Sequence, residues 1–119
     1  MAWTVCFHDD FEPEFARLPV GVQDELLARA KVLAQVGPTL GRPFVDTLAG
    51  SKHANMKELR FDAGGGVWRV AFAFDPARSA IVLVAGDKRG VSQGKFYKAL
   101  IDRADQRFDR HLAVLKRND

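Results

Sequence analysis

Basic side chains that could hold phosphate groups are concentrated between residues 52 and 98. This segment has nine Lys or Arg residues and four Asp or Glu residues. Residues 1–51 instead have four basic and seven acidic residues, so the formal net charge of +3 conceals a positive region behind an acidic one. Each phosphate that Lys or Arg neutralises releases condensed counterions. The charge distribution therefore favours a polyanionic partner, and nucleic acid is the first candidate.

Length and composition indicate one cytoplasmic domain covering residues 1–119. The chain has 119 residues, of which 47% are hydrophobic, enough for a single core. It has no apolar run near the roughly 20 residues that a membrane helix needs, so no membrane partner is expected. The three histidines, His8, His53 and His111, are too widely spaced to suggest a zinc site. We therefore expect neither a metal ion nor another cofactor.

The first forty residues predict a strand followed by a helical hairpin. Residues 3–8 mix aromatic and β-branched side chains, which is typical of a strand. Helical spacing of apolar residues then recurs twice, from Phe11 to Leu18 and from Val22 to Ala34. Pro19 separates the two helices and Gly37-Pro38 ends the second. Apolar residues in the segment 39–54 follow neither helical spacing nor strand alternation, which predicts an irregular connection.

The rest of the chain predicts three strands and a final helix. Residues 55–61 and 67–74 alternate between polar and apolar side chains around Gly64-Gly65-Gly66, which predicts a hairpin. In the second of these strands Arg69 is expected on an open face, opposite the aromatic residues. Residues 80–85 predict a central strand. Apolar residues every three or four positions from Phe96 to Leu115 predict a helix that packs on the sheet.

The order and spacing of several motifs resemble the RelE/HigB superfamily of toxins, and more narrowly its phage-related HigB-like branch. The resemblance covers nearly the whole chain. The motifs are Lys57-Glu58-Leu59-Arg60, Trp68-Arg69-Val70-Ala71-Phe72, Asp87-Lys88 after an apolar strand, Phe96-Tyr97, and Ala104-Asp105.

This resemblance implies an α+β fold with the order β-α-α-β-β-β-α. A small, mainly antiparallel sheet would pack against an N-terminal helical hairpin and a C-terminal helix. The resemblance also implies the toxin of a type II toxin–antitoxin system, which inhibits translation by cutting mRNA on the ribosome. Its partners would be the ribosome, mRNA and a cognate antitoxin, expected to be a helix-turn-helix protein.

Metal-independent cleavage of RNA can use the 2′-OH as nucleophile, and five residues are candidates for the catalytic groups. The reaction needs a proton acceptor, stabilisation of charge on the phosphate and help for the leaving oxygen. Arg60 and Arg69 are predicted to stabilise charge, because a guanidinium can hold two phosphate oxygens. Lys57 and Lys88 are candidate proton acceptors. Tyr97 could orient the 2′-OH or stack on a base.

Glu58 is a competing candidate for the proton acceptor. Strand alternation places Lys57 and Glu58 on opposite sides of the sheet, so only one of them should reach RNA. A second group of residues is predicted to bind RNA without taking part in the chemistry. It comprises Lys52, His53, Arg89, Lys95 and Phe96. Phe96 is a candidate for base stacking, and one of the pair Phe96 and Tyr97 is expected to pack inward.

Two other functions are compatible with the same residues. One is a ParE-like toxin that poisons DNA gyrase without nuclease activity. The other is a non-catalytic nucleic-acid-binding module in which the cations only hold phosphates, so that binding weakens smoothly with salt.

Overall fold

Five strands and three helices account for most of residues 2–118, which the computed structural model describes. Their bounds in chain order are β1 (Thr4–Phe7), α1 (Phe11–Ala16), α2 (Val20–Val36), β2 (Val45–Thr47), β3 (Met56–Ala63), β4 (Gly66–Phe74), β5 (Ser79–Asp87) and α3 (Gln93–Arg117). A short 3-10 turn, Gly37–Thr39, follows α2. This composition confirms the predicted α+β class.

The strands form one sheet in the order β1-β5-β4-β3-β2. Strand β1 runs parallel to β5, and the other pairs are antiparallel. Strand β2 lies within the segment that was predicted to be irregular, so the order is β-α-α-β-β-β-β-α. It has only three residues, too few for a two-residue period to show. It pairs with Lys57, Glu58 and Leu59 of β3 and thereby extends the sheet beside the hairpin of β3 and β4.

Helices cover both faces of the sheet. The face that carries Val70, Phe72 and Phe74 packs against α1 and α2. The opposite face, with Ala71 and Ala73, packs against α3. Arg69 belongs to this second face by strand alternation, and it is buried. The prediction that Arg69 lies on an open face is therefore wrong, because α3 covers the residues that alternation left outside the aromatic core.

Gly86 in β5 lets the first turn of α3 approach the sheet closely. A Cβ atom at this position would lie 2.9 Å from Cε1 of Phe96, closer than side-chain carbons are found in folded proteins. The Phe96 ring thus occupies the space that any larger residue at position 86 would need. This contact sets how close the start of α3 lies to β4 and β5.

A buried arginine connects the second half of α3 to the other elements. Nη1 of Arg107 donates to the carbonyl oxygen of Leu83 at 2.7 Å, and its two terminal nitrogens donate to the Glu14 carboxylate at 2.8 and 2.5 Å. Arg107 therefore joins α3 to β5 and α1 at once. The hydrogen bonds from Arg107 hold the pKa of Glu14 below its ordinary value.

We expect Glu14→Gln to reduce the loss of stability on acidification. Because the folded-state pKa of Glu14 is lowered, its contribution is complete above the ordinary carboxyl range and disappears as the pH falls through the lowered value. The contribution at neutral pH is about 1 kcal/mol once the partial exposure of Glu14 is taken into account. Urea unfolding at neutral and acidic pH measures it. Glu12→Gln, on the exposed side of α1, is the charge-matched control, and an equal effect of both variants would contradict a specific role for the contact with Arg107.

Candidate active site

The Glu58 carboxylate is the centre of a cluster of functional groups between the sheet and α3. Alternation along β3 directs Glu58 and Arg60 toward α3. Only 4% of Glu58 is exposed, so its charge needs partners. Oε2 accepts a hydrogen bond from Nη1 of Arg60 at 3.0 Å, and Oε1 accepts one from the Tyr97 hydroxyl at 2.8 Å. A strand and a helix that are far apart in sequence thus meet at one carboxylate.

Tyr97 lies in the second turn of α3, where its hydroxyl reaches the sheet. Burial raises the pKa of Tyr97 above its ordinary value, and the hydrogen bond to Glu58 raises it further, because ionising the phenol beside a carboxylate is unfavourable. The hydroxyl therefore keeps its proton at neutral pH and remains a donor to Glu58.

Arg60 and Arg69 face each other across the β3–β4 pair and differ sharply in exposure. The Arg60 side chain is 24% exposed, whereas Arg69 as a whole is 7% exposed. Nη1 of Arg69 donates to the carbonyl oxygen of Trp68 at 2.8 Å. Its Nε lies 3.9 Å from Oε1 of Glu58 and has no hydrogen-bond partner within residues 2–118. Of these two arginines, only Arg60 can contact a ligand at the surface without a rearrangement of the side chain.

Lys88 lies at the edge of this cluster. Its backbone N–H donates to Val67 at 2.9 Å, just beyond the end of β5, and its Nζ lies 5.8 Å from the centre of the Tyr97 ring. An ammonium at this distance is attracted to the face of the ring. The structure therefore brings Lys88, Tyr97, Arg60 and Glu58 together, with Arg69 behind them.

Glu58, Arg60 and Tyr97 open onto a cleft of about 500 Å³. Its other lining residues are Arg42, Asp46, Thr47, Leu48, Ala49, Gln93 and Gly94. Arg42 and Asp46 form an ion pair at 2.7 Å on its rim. Neither was a predicted site residue, since both lie in the segment without a period and only the pairing of β2 with β3 brings them here. The volume is enough for a nucleotide, and the lining combines two arginines with two carboxylates, so a phosphate would have to compete with Glu58 or Asp46 for a guanidinium.

Lys57 does not join this cluster. It pairs in register with Phe72, whose side chain is in the core under α2, and alternation places it on the face opposite Glu58. The structure therefore does not bring Lys57 together with Arg60 and Tyr97, although the sequence predicted all three for one site. Of the two candidate proton acceptors, Glu58 lines the cleft and Lys57 does not.

Lys52 and His53 are paired with the middle of α3 and do not line the cleft. Nζ of Lys52 and Nε2 of His53 contact the two oxygens of Asp109 at 2.5 and 2.8 Å, and the Lys52 backbone N–H donates to Asp105 at 3.2 Å. These contacts hold the connection before β3 against α3. Their geometry favours a structural role over RNA binding.

The other predicted RNA-binding residues divide into surface and core. Lys95 and Arg89 are exposed, and Arg89 donates to the carbonyl oxygen of Gly65 in the β3–β4 turn at 2.6 Å. Phe96 is 9% exposed and belongs to the core beneath α3. The structure therefore places the Phe96 ring against Gly86 in the core, and not at the surface where a base could stack on it. Of the adjacent pair, Phe96 packs inward and Tyr97 faces the cleft.

Two further properties of residues 2–118 bear on the predictions. No helix in this range has the length and apolar character needed to cross a membrane. No group of three His, Cys, Asp or Glu side chains in this range is arranged to hold a metal ion.

Comparison with known proteins gives consistent matches to bacterial toxins. Residues 13–109 match the model of a family described as phage-derived protein Gp49-like (DUF891). The putative toxin HigB2 of Mycobacterium tuberculosis is 49% identical over 89 residues, which are 74% of this chain and 44% of HigB2. The putative toxin HigB3 of the same organism is 51% identical over 82 residues, which are 69% of each chain. The chain thus matches less than half the length of HigB2.

The fold also has a match among solved structures. A mutant of the E. coli toxin RelE in the free state superposes with a TM-score of 0.62 at 12% sequence identity. The superposition covers 85% of this chain and 95% of the RelE chain. At this identity the match concerns the fold alone, and it agrees with the predicted architecture.

Proposed function

The chain belongs to the phage-derived Gp49-like (DUF891) family, within the HigB-like branch of the RelE/HigB toxins, and from this membership we propose that it is the toxin of a type II toxin–antitoxin system that cleaves mRNA on the ribosome. The observation that carries the proposal is the meeting of Glu58, Arg60 and Tyr97 in one open cleft. A carboxylate can accept the proton of the 2′-OH, and an accessible guanidinium can stabilise the charge that builds on the phosphate.

Glu58 takes the proton from the attacking 2′-OH. It is the only carboxylate among residues 2–118 that is hydrogen-bonded to both Arg60 and Tyr97, and each of its oxygens keeps a lone pair for a further donor. The 2′-oxygen attacks phosphorus and forms a cyclic phosphate, while the bond from phosphorus to the 5′-oxygen breaks. Tyr97 orients Glu58 by donating to Oε1.

Arg60 and Lys88 carry the remaining roles. Arg60 is partly exposed at the cleft, so its guanidinium can hold the non-bridging oxygens as negative charge builds on the phosphate. Lys88, beside the Tyr97 ring, gives a proton to the leaving 5′-oxygen. Protons and electrons then balance, since one proton enters the site on Glu58 and one leaves it from Lys88.

Lys57→Gln is expected to leave cleavage within about twofold of the unmodified protein, whereas Lys88→Gln should lower it about 100-fold. The reason is that Lys57 lies on the face under α2, whereas Nζ of Lys88 lies 5.8 Å from the ring centre of Tyr97, which lines the cleft. Rates of mRNA cleavage in a translating extract measure both. Equal losses for the two variants would contradict the assignment of the faces.

Mapping of mRNA ends in translating extracts tests the proposed function. The purified protein should create new 5′ ends confined to codons that ribosomes occupy, and addition of the cognate antitoxin should suppress them. Growth arrest with intact mRNA and broken DNA would instead indicate a gyrase poison. Salt-sensitive binding without any cleavage would indicate a non-catalytic module. The proposed partners are thus the ribosome, mRNA and a helix-turn-helix antitoxin, and the proposed location is the cytoplasm.

A further inference from the structure

Arg69 is a buried cation that the surrounding hydrogen bonds only partly satisfy. It is 7% exposed, one terminal nitrogen donates to the backbone at Trp68, and Nε has no partner within residues 2–118. A buried guanidinium with an unpaired N–H is costly. A residue that is this costly to bury and lies beside a cleft calls for an explanation beyond packing.

The charge nearest to Nε is the Glu58 carboxylate, at 3.9 Å from Oε1. This carboxylate has Arg60 on its cleft side at 3.0 Å and Arg69 on its inner side. The two guanidiniums therefore share one buried anion. Arg60 can also be reached from the cleft, whereas Arg69 does not line it.

A phosphate in the cleft would compete with Glu58 for Arg60. Glu58 would then keep only the Tyr97 hydroxyl and Arg69, and a buried carboxylate without a cation is strongly unfavourable. A shift of the carboxylate by about 1 Å toward Arg69 would bring Oε1 within hydrogen-bonding distance of Nε. The unpaired Nε–H of Arg69 could thus donate a hydrogen bond to Glu58 when Arg60 binds the phosphate.

We propose that Arg69 is a positioning residue that holds the Glu58 carboxylate in place when Arg60 engages RNA, and that it does not itself contact the phosphate. This inference rests on the proposed function, in which Glu58 is the proton acceptor. It also separates the roles of two arginines that face each other in the sheet.

The test uses the fact that the chain contains one tyrosine. Incorporating 3-fluorotyrosine gives one ¹⁹F resonance, at Tyr97, and its phenol is acidic enough to titrate while the protein is folded. Glu58 raises the pKa of Tyr97 and Arg69 lowers it. Glu58→Gln should therefore lower this pKa, and Arg69→Gln should raise it. If Arg69 only supported the fold, its loss would expose Tyr97 and lower the pKa instead.

Binding and cleavage supply the second readout. Affinity is measured with a short single-stranded RNA whose 2′-OH groups are methylated, so that it cannot be cut. Arg60→Gln should weaken binding about tenfold or more, and Arg69→Gln should change it less than about twofold while cleavage falls about 10- to 100-fold. Arg69→Lys, which keeps the charge, should recover part of the cleavage.

Each outcome decides the inference. A loss of affinity in Arg69→Gln equal to that in Arg60→Gln, or a lowered Tyr97 pKa, would overturn it. If Arg69→Gln does not fold, the Tyr97 pKa of Arg69→Lys should stay near that of the unmodified protein, and Glu58→Gln/Arg69→Gln should fold because neither charge is left alone. Failure of the protein to cut mRNA in translating extracts would overturn the proposed function, while the Tyr97 titration would still report the coupling to Arg69.

Discussion

Replacing Arg60 with glutamine is expected to lower the rate of RNA cleavage by about 100- to 1000-fold, the usual effect of removing one preorganised charge-stabilising group. Arg60 is the guanidinium that both contacts Glu58 and opens onto the cleft. Its loss removes the cation that would meet the phosphate and also one partner of the buried carboxylate. Single-turnover cleavage in the ribosome assay measures the effect on the rate.

Arg29→Gln is the matched control for Arg60→Gln. Arg29 has similar side-chain exposure, 28%, and also pairs with a carboxylate, Glu25, but it lies on α2 at the opposite face of the sheet. Cleavage by this variant should stay within about twofold of the unmodified protein, because a distant surface charge adds little to the field in the cleft. A comparable loss in both variants would mean that total charge matters and that the cleft has no special role.

Phe96→Ala is expected to destabilise the protein by about 3 kcal/mol, at the lower end of the range for removing a buried aromatic ring. The ring packs on Gly86 and meets the Tyr97 ring edge-on, with centroids 5.2 Å apart. Its removal leaves a cavity under the first turns of α3. Urea unfolding followed by far-UV circular dichroism measures the free energy of unfolding.

Tyr97→Phe provides the contrast on the adjacent residue. It keeps the ring and removes the hydroxyl that donates to Glu58, so cleavage should fall while the free energy of unfolding changes by about 1 kcal/mol or less. If Phe96→Ala were stable and deficient in RNA binding, Phe96 would be a stacking residue and its assignment to the core would be wrong.

Most of the fold could be predicted from the sequence, because its apolar residues recur at clear helical or strand spacing. Helix α2 was predicted from apolar residues such as Val22, Leu26 and Leu33, which the structure buries. The β3–β4 hairpin followed from alternation around three glycines. Strand β2 was not predicted, because three residues cannot show a two-residue period. The ion pair of Arg42 and Asp46 at the cleft was therefore not predicted either.

The site was harder to predict, because alternation separates the two faces of a strand without saying what covers each. Strand alternation predicted that the side chains of Lys57 and Glu58 lie on opposite faces of the sheet. Only the position of α3 shows that Glu58 faces the cleft. The same helix buries Arg69, which alternation alone left open. The contacts of Lys52 and His53 with Asp109 join residues more than fifty positions apart, a separation over which no local pattern carries information.

The two ends of α3 have different attachments, and this has a consequence for heat inactivation. The second half is fixed by Arg107 to two other elements, whereas the first turns are held by the packing of Phe96 on Gly86 and by one hydrogen bond from Tyr97 to Glu58. Fraying on warming should therefore start at the end that carries Tyr97. Such fraying would reversibly separate Tyr97 from Glu58 at temperatures where the sheet is still intact.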